Sequence, residues 1–170
     1  MKVRHSFILL TILVALVVVT SCHTTSRLGE DEILYTGVKK LVINIPDSVV
    51  LPDGIDENIK TTIDVPANNS LMSPYVRSPF PIGLWLYNHW PDNAKGLKGW
   101  IYRKFAEEPV LMSDVRPDLR MKMVEDMLAK NGFFFFFSSY ELLHSKKNHK
   151  KARVNYTVNI SVPKRITRVI

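Results

Sequence analysis

Three patterns along the chain predict an α+β fold. Near the end, Val154, Tyr156, Val158, Ile160 and Val162 alternate with Arg153, Asn155, Thr157, Asn159 and Ser161, the period of a strand with one buried face. Before it, Leu119, Met123, Val124, Met127 and Leu128 recur at helical spacing, with Lys122, Glu125, Asp126 and Lys130 opposite them. Early in the chain, Leu41, Ile43 and Ile45 alternate with Lys40 and Asn44. Strands and helices that each expose one apolar face must pack on one another in layers.

The first element in order is a targeting segment. Lys2, Arg4 and His5 precede the apolar stretch Phe7 to Val19, the layout of a secretory signal. Val19-Thr20-Ser21-Cys22 resembles the lipobox of bacterial lipoprotein signal peptides, and the resemblance implies that residues 1–21 are removed and that Cys22 is lipidated. A membrane-spanning helix needs about 20 apolar residues, more than this stretch supplies. Cys22 is the only cysteine, which excludes a disulfide within the chain. A merely buried cysteine finds no core among the polar residues that follow it.

Residues 22–36 are expected to be a polar tether. A strand follows from Lys39, and Pro46 with Pro52-Asp53-Gly54 breaks it. A short helix is expected over Ile55 to Thr62. Between about 66 and 112 lies an irregular insertion with Pro66, Pro74, Pro79, Pro81 and Pro91, together with Trp85, Trp90 and Trp100. So many prolines exclude a long helix, leaving short ones over Ile82 to Trp90 and Lys98 to Phe105. The aromatic residues suit packing on the domain or contact with a partner or membrane, and burial is the rule for large apolar groups.

The amphipathic helix is expected to start near Pro117 under a cap from Ser113 or Asp114, and to end in a left-handed cap at Asn131-Gly132. The run Phe133 to Phe137 reads as a strand covered on both faces over its first half. Residues 145–151, rich in lysine, make a turn, so that the phenylalanine strand and the last strand form an antiparallel hairpin. The domain is expected to span 37–163, with 164–170 opening a further, truncated element.

Composition bounds the function. Removing the signal leaves about 149 residues, enough for one domain. The net charge of +7 is spread along the chain rather than gathered into a nucleic-acid footprint. No nucleophile elbow, Walker loop, zinc-protease helix or paired cysteine motif occurs. His144 and His149 lie near one another across the lysine turn without a carboxylate or thiol. No catalytic, cofactor-binding or metal site is expected. The lysines at 146, 147, 150 and 151 read either as a patch for lipid phosphates or as a hairpin tip kept soluble by charge, the second being the simpler.

The stretches IGLWLYN (82–88), WIYRKF (100–105), EEPVLM (107–112), MLAKNGF (127–133) and RVNYTVNI (153–160) resemble the periplasmic start of BamA/TamA family outer-membrane proteins of Bacteroidetes. The order strand, helix, insertion, helix, strand, strand is the layout of a POTRA domain. The resemblance implies a three-stranded mixed sheet with helices on one face. It also implies protein partners in the outer membrane or periplasm, bound by strand addition to a sheet edge. Family members continue into further POTRA domains and a membrane barrel, so a chain ending at Ile170 reads as a truncated or split member. The expectation is a lipid-anchored module at the outer membrane, facing the periplasm and attached through Cys22, with no nucleic-acid partner. The alternative is a stand-alone structural lipoprotein resting on lipid or envelope polymer.

Overall fold

The computed structural model describes residues 24–71, 73–78 and 80–161; the signal segment, Cys22 and the element expected at 164–170 lie outside the described residues. In order come β1 (Leu34–Asn44), α1 (Ile55–Ile63), β2 (Ser70–Leu71), β3 (Ser73–Arg77), α2 (Ile82–His89), α3 (Gly96–Phe105), α4 (Met112–Val115), α5 (Pro117–Lys130), β4 (Phe136–His144) and β5 (Lys151–Ile160). The main sheet has the order β1-β5-β4, with β1 parallel and β4 antiparallel to β5. The fold is therefore α+β around a three-stranded mixed sheet. A second, two-stranded antiparallel sheet, β2 with β3, lies in the insertion.

Strand β5 takes the centre, paired to β1 on one edge and to β4 on the other, and its alternation is the most complete. Ala152, Val154, Tyr156, Val158 and Ile160 are all buried on one face. Onto that face α1 lays Ile55, Ile59 and Ile63, one turn apart, and α5 lays Met121, Val124 and Leu128. Each such side chain contributes about 1.5–3 kcal/mol when fully buried, so the two helices and β5 carry most of the core.

Helix α5 turns a different stripe inward than expected. Val124 and Leu128 are buried as anticipated, but Met121 and Pro117 join them, while Leu119 and Met123 are exposed. The apolar residues fill two neighbouring stripes of the helix, and only the position of the sheet selects between them. Neither Ser113 nor Asp114 caps α5. The residue before Pro117 is Arg116, held at φ 47 in the left-handed region with no side-chain cap. The C-terminus behaves as expected. Gly132 has φ 87, its N–H bonds to the Ala129 carbonyl at 3.0 Å, and the Phe133 N–H bonds to the Leu128 carbonyl at 3.0 Å. These two bonds define a Schellman motif, sealed by the buried side chains of Leu128 and Phe133.

That motif changes the reading of the phenylalanine run. Phe133 belongs to the helix cap, β4 starts only at Phe136, and Phe134, Phe135 and Phe137 are exposed. The run is not covered on both faces, because the core helices pack against one face of the sheet and leave the other open at Phe135 and Phe137.

From residue 24 onward the expected tether is a folded part of the domain. Strand β1 begins at Leu34 rather than Lys39, and Leu34 and Tyr35 are both buried. Adjacent buried residues break the period of two, and the cause is a bulge. Gly37 has φ 98, and the pairing register with β5 shifts between Tyr35 and Val38 and again before Lys40. Upstream, residues 24–33 dock on α2 and on the β4–β5 turn. Ser26 Oγ donates to Asn88 Oδ1 at 3.0 Å, and Lys150 Nζ donates to the Leu28 and Gly29 carbonyls at 3.0 and 2.9 Å. Leu28, Leu34 and Leu84 form a small second core. The aromatic segment 82–90 is thereby packed through Leu84 and Leu86.

Candidate functional site

Two backbone bonds set the phase of strand β4. Ser161 N–H bonds to the Phe135 carbonyl, and Ser145 N–H to the Lys151 carbonyl, both at 2.8 Å. In an antiparallel ladder the backbone groups alternate from side to side. Odd-numbered residues of β4 therefore turn their N–H and C=O groups to β5. The even-numbered Phe136, Ser138, Tyr140, Leu142 and His144 turn theirs to the outer edge, where no described backbone segment meets them.

The opposite edge of the sheet is closed at its start. Tyr35 N–H bonds to the Val110 carbonyl at 2.9 Å, and Met112 N–H bonds to the Ile33 carbonyl at 2.8 Å. An exposed edge strand is usually protected by charge, proline or bulges. Strand β4 pairs with β5 without a register shift, and its nine residues, FFSSYELLH, hold no proline, no lysine and a single carboxylate.

Aromatic side chains border this edge on both faces. Phe137 pairs with Asn159 on the face away from the core and is 65% exposed, whereas Tyr140 pairs with Tyr156 on the core face and is 43% exposed. Phe134 and Phe135 precede the strand at 71% and 48% exposed. Glu125 of α5 bonds to the Ser138 hydroxyl and ties the strand to the helix behind it. The arrangement offers backbone hydrogen bonds along a straight edge and apolar contact beside it, which is what an added strand uses.

Cys22, the residue expected to carry a lipid, lies outside the described residues, which resume at the buried Thr24. His144 and His149 do come together, but through His144 Nδ1 and the His149 carbonyl at 2.9 Å. Among the described residues no group of three histidine, cysteine or carboxylate side chains gathers to hold a metal. No described helix is long and apolar enough to cross a membrane. The lysine run divides: Lys150 is tied to the carbonyls of residues 28 and 29, while Lys146 and Lys147 stay exposed.

The edge was not visible as a site in sequence, since five consecutive phenylalanines read as core. What distinguishes them is their place after a glycine-capped helix, which consumes Phe133 alone. No protein-family model, curated protein or solved structure matches the chain.

Proposed function

We propose that this chain is a lipid-anchored, POTRA-like binding module that receives an extended segment of a partner protein along strand β4. The observation that carries the reading is the mixed sheet of order β1-β5-β4, whose β4 edge is open and bordered by Phe134, Phe135, Phe137 and Tyr140. The element order and the cover of one sheet face by α1 and α5 accord with the POTRA layout. The partner is an outer-membrane or periplasmic protein, the lipid on Cys22 is the attachment, and the module works by binding rather than by catalysis.

The test is amide hydrogen exchange on the full chain with a synthetic peptide of alternating aromatic and polar residues, the pattern of a barrel strand. Slowed exchange confined to the amides of residues 136, 138, 140, 142 and 144 is the expected result. Exchange unchanged there at saturating peptide refutes strand addition. The anchor is tested by Cys22→Ser, which should move the protein from the membrane to the soluble periplasmic fraction. Retention in the membrane would show the lipobox reading to be wrong.

A second reading, a structural lipoprotein lying against lipid, draws on α3. Leu97, Trp100 and Phe105 of that helix are exposed. Quenching of Trp100 fluorescence by brominated lipid, with Trp85 and Trp90 replaced by phenylalanine, would support it, and an unquenched Trp100 would remove it.

A further inference from the structure

A second feature lies at the other end of the sheet, where the insertion and the folded amino-terminal segment meet the β4–β5 turn. An open cleft of about 830 Å³ there is bordered by Lys39 of β1, Lys147 of the turn, and Lys151 and Arg153 of β5. These cations come from three separate parts of the chain, so no run in the sequence displays them together. His144 adds an imidazole to the same wall. Phe80 also lines the cleft, as do Leu34 and Leu84, which are themselves buried in the small second core.

Among the described residues no carboxylate side chain lines the cleft. All 16 aspartate and glutamate residues of the chain fall within the described residues, and none lines it. Glu141, on the same strand as His144, accepts a bond from Asn155 Nδ2 at 3.3 Å. Lys39, Lys147 and Arg153 enter no ion pair among the described residues; the ion pairs formed there join Arg27 to Asp92 and Lys60 to Asp56 and Glu57. Several like charges brought together without a carboxylate repel one another and raise the local affinity for an anion.

An independent observation points to the same place. Thr24 lines the cleft, is 3% exposed, and its hydroxyl has no hydrogen-bond partner among the described residues. A buried hydroxyl without a partner costs free energy unless something supplies the bond. The volume exceeds what a bare phosphate ion needs and lies in the range of small-ligand sites, about 300–1,000 Å³.

We propose that this cleft binds a phosphate-bearing ligand, its phosphate held by Lys39, Lys147, Lys151 and Arg153 and its remainder lying in the rest of the cleft. The site meets strand β4 only at its last two residues, Leu143 and His144, and does not depend on strand addition there. The phosphate belongs either to a soluble molecule or to a lipid headgroup, and the test separates the two.

The full chain in phosphatidylcholine nanodiscs is treated with an amine-acetylating reagent, and labelling at each lysine is read by mass spectrometry. Lys122 and Lys130, exposed on α5, serve as internal references. In one arm inorganic pyrophosphate is added, and in the other part of the phosphatidylcholine is replaced by phosphatidylglycerol. Labelling of Lys39, Lys147 and Lys151 relative to the references is expected to fall at least about fivefold in one of the arms, given roughly fivefold in affinity per cation at a phosphate surface. Protection by pyrophosphate assigns a soluble ligand, and protection only with phosphatidylglycerol assigns a headgroup. The double variant Lys39→Gln/Arg153→Gln should abolish the protection of Lys147 and Lys151. Protection in neither arm, equal protection of Lys122 and Lys130, or equal protection by sodium acetate at matched ionic strength overturns the proposal.

Discussion

Tyr156 sits in the middle of β5 with its side chain fully buried and its hydroxyl without a hydrogen-bond partner among the described residues. Burial pushes its pKa up from 10.0 to about 12, with Tyr140 and Asp64 adding to the rise and Arg120 opposing it. The unfolded chain therefore loses this proton first as pH rises. Over the interval from pH 10.0 to about 12 the folded state binds more protons than the unfolded state, so stability falls as pH increases. In denaturant titrations the wild type should lose stability across that interval, and Tyr156→Phe should lose less. At neutral pH Tyr156→Phe should be as stable as wild type or up to about 1 kcal/mol more stable, because it removes a polar group with no partner. A destabilisation of several kcal/mol would mean that the hydroxyl is bonded. The alternation that buries Tyr156 is plain in the sequence. Its lack of a partner is not, since partners come from strands and helices distant in the chain.

At the level of elements, α5 and β4 show how far local pattern reaches. The Schellman motif after α5 was legible because it rests on neighbours in the chain, above all on a glycine that accepts φ 87. Gly132→Ala should cost about 1 kcal/mol in thermal or denaturant unfolding, the penalty for a left-handed residue with a Cβ, and an unchanged stability would refute the role given to this cap. The inward stripe of α5 was legible only in part, at Val124 and Leu128, since Leu119 and Met123 obey the same period yet face solvent. For β4 the phase of the ladder yields a sharper contrast. Ser139→Pro removes a bond to β5 and leaves its acceptor unpaired, which should cost about 1–3 kcal/mol, whereas Tyr140→Pro removes only an outward N–H. Circular dichroism should show Tyr140→Pro folded, with its capacity to bind the barrel-strand peptide lost. If Tyr140→Pro unfolds while Ser139→Pro does not, the phase is reversed and the outer edge belongs to the odd residues.

In the whole molecule, the amino-terminal segment is clasped to the insertion by side chains far apart in sequence. Arg27 meets Asp92 at 3.2 Å, and the Tyr102 hydroxyl donates to the same carboxylate oxygen at 2.7 Å. The bond from Tyr102, and next that from Arg27, hold the Asp92 carboxyl below its usual pKa of 3.8. A depressed carboxylate stabilises the fold above its unfolded pKa, and the contribution is lost as pH falls through the folded value. Asp92→Asn should speed amide exchange in residues 24–33 at neutral pH while leaving β5 unchanged. Wild type should approach the variant's behaviour below pH 3.8. Unchanged exchange in the variant would show that the small core of Leu28, Leu34 and Leu84 holds the segment without the clasp.

Polar residues 24–32 resemble a tether in sequence because nothing local marks their partners, which lie up to 123 positions away. The same distance hides the cationic cleft, assembled from β1, the turn and β5. Sequence alone determined the α+β class, the alternating strand over 153–160, the two core helices and the glycine cap of the second, because each rests on a periodicity or a turn within one element. Tertiary structure decided which edge stays open, which phenylalanines face solvent, and which charges converge. Those depend on strand order and on long-range hydrogen bonds, and no window along the chain contains both partners.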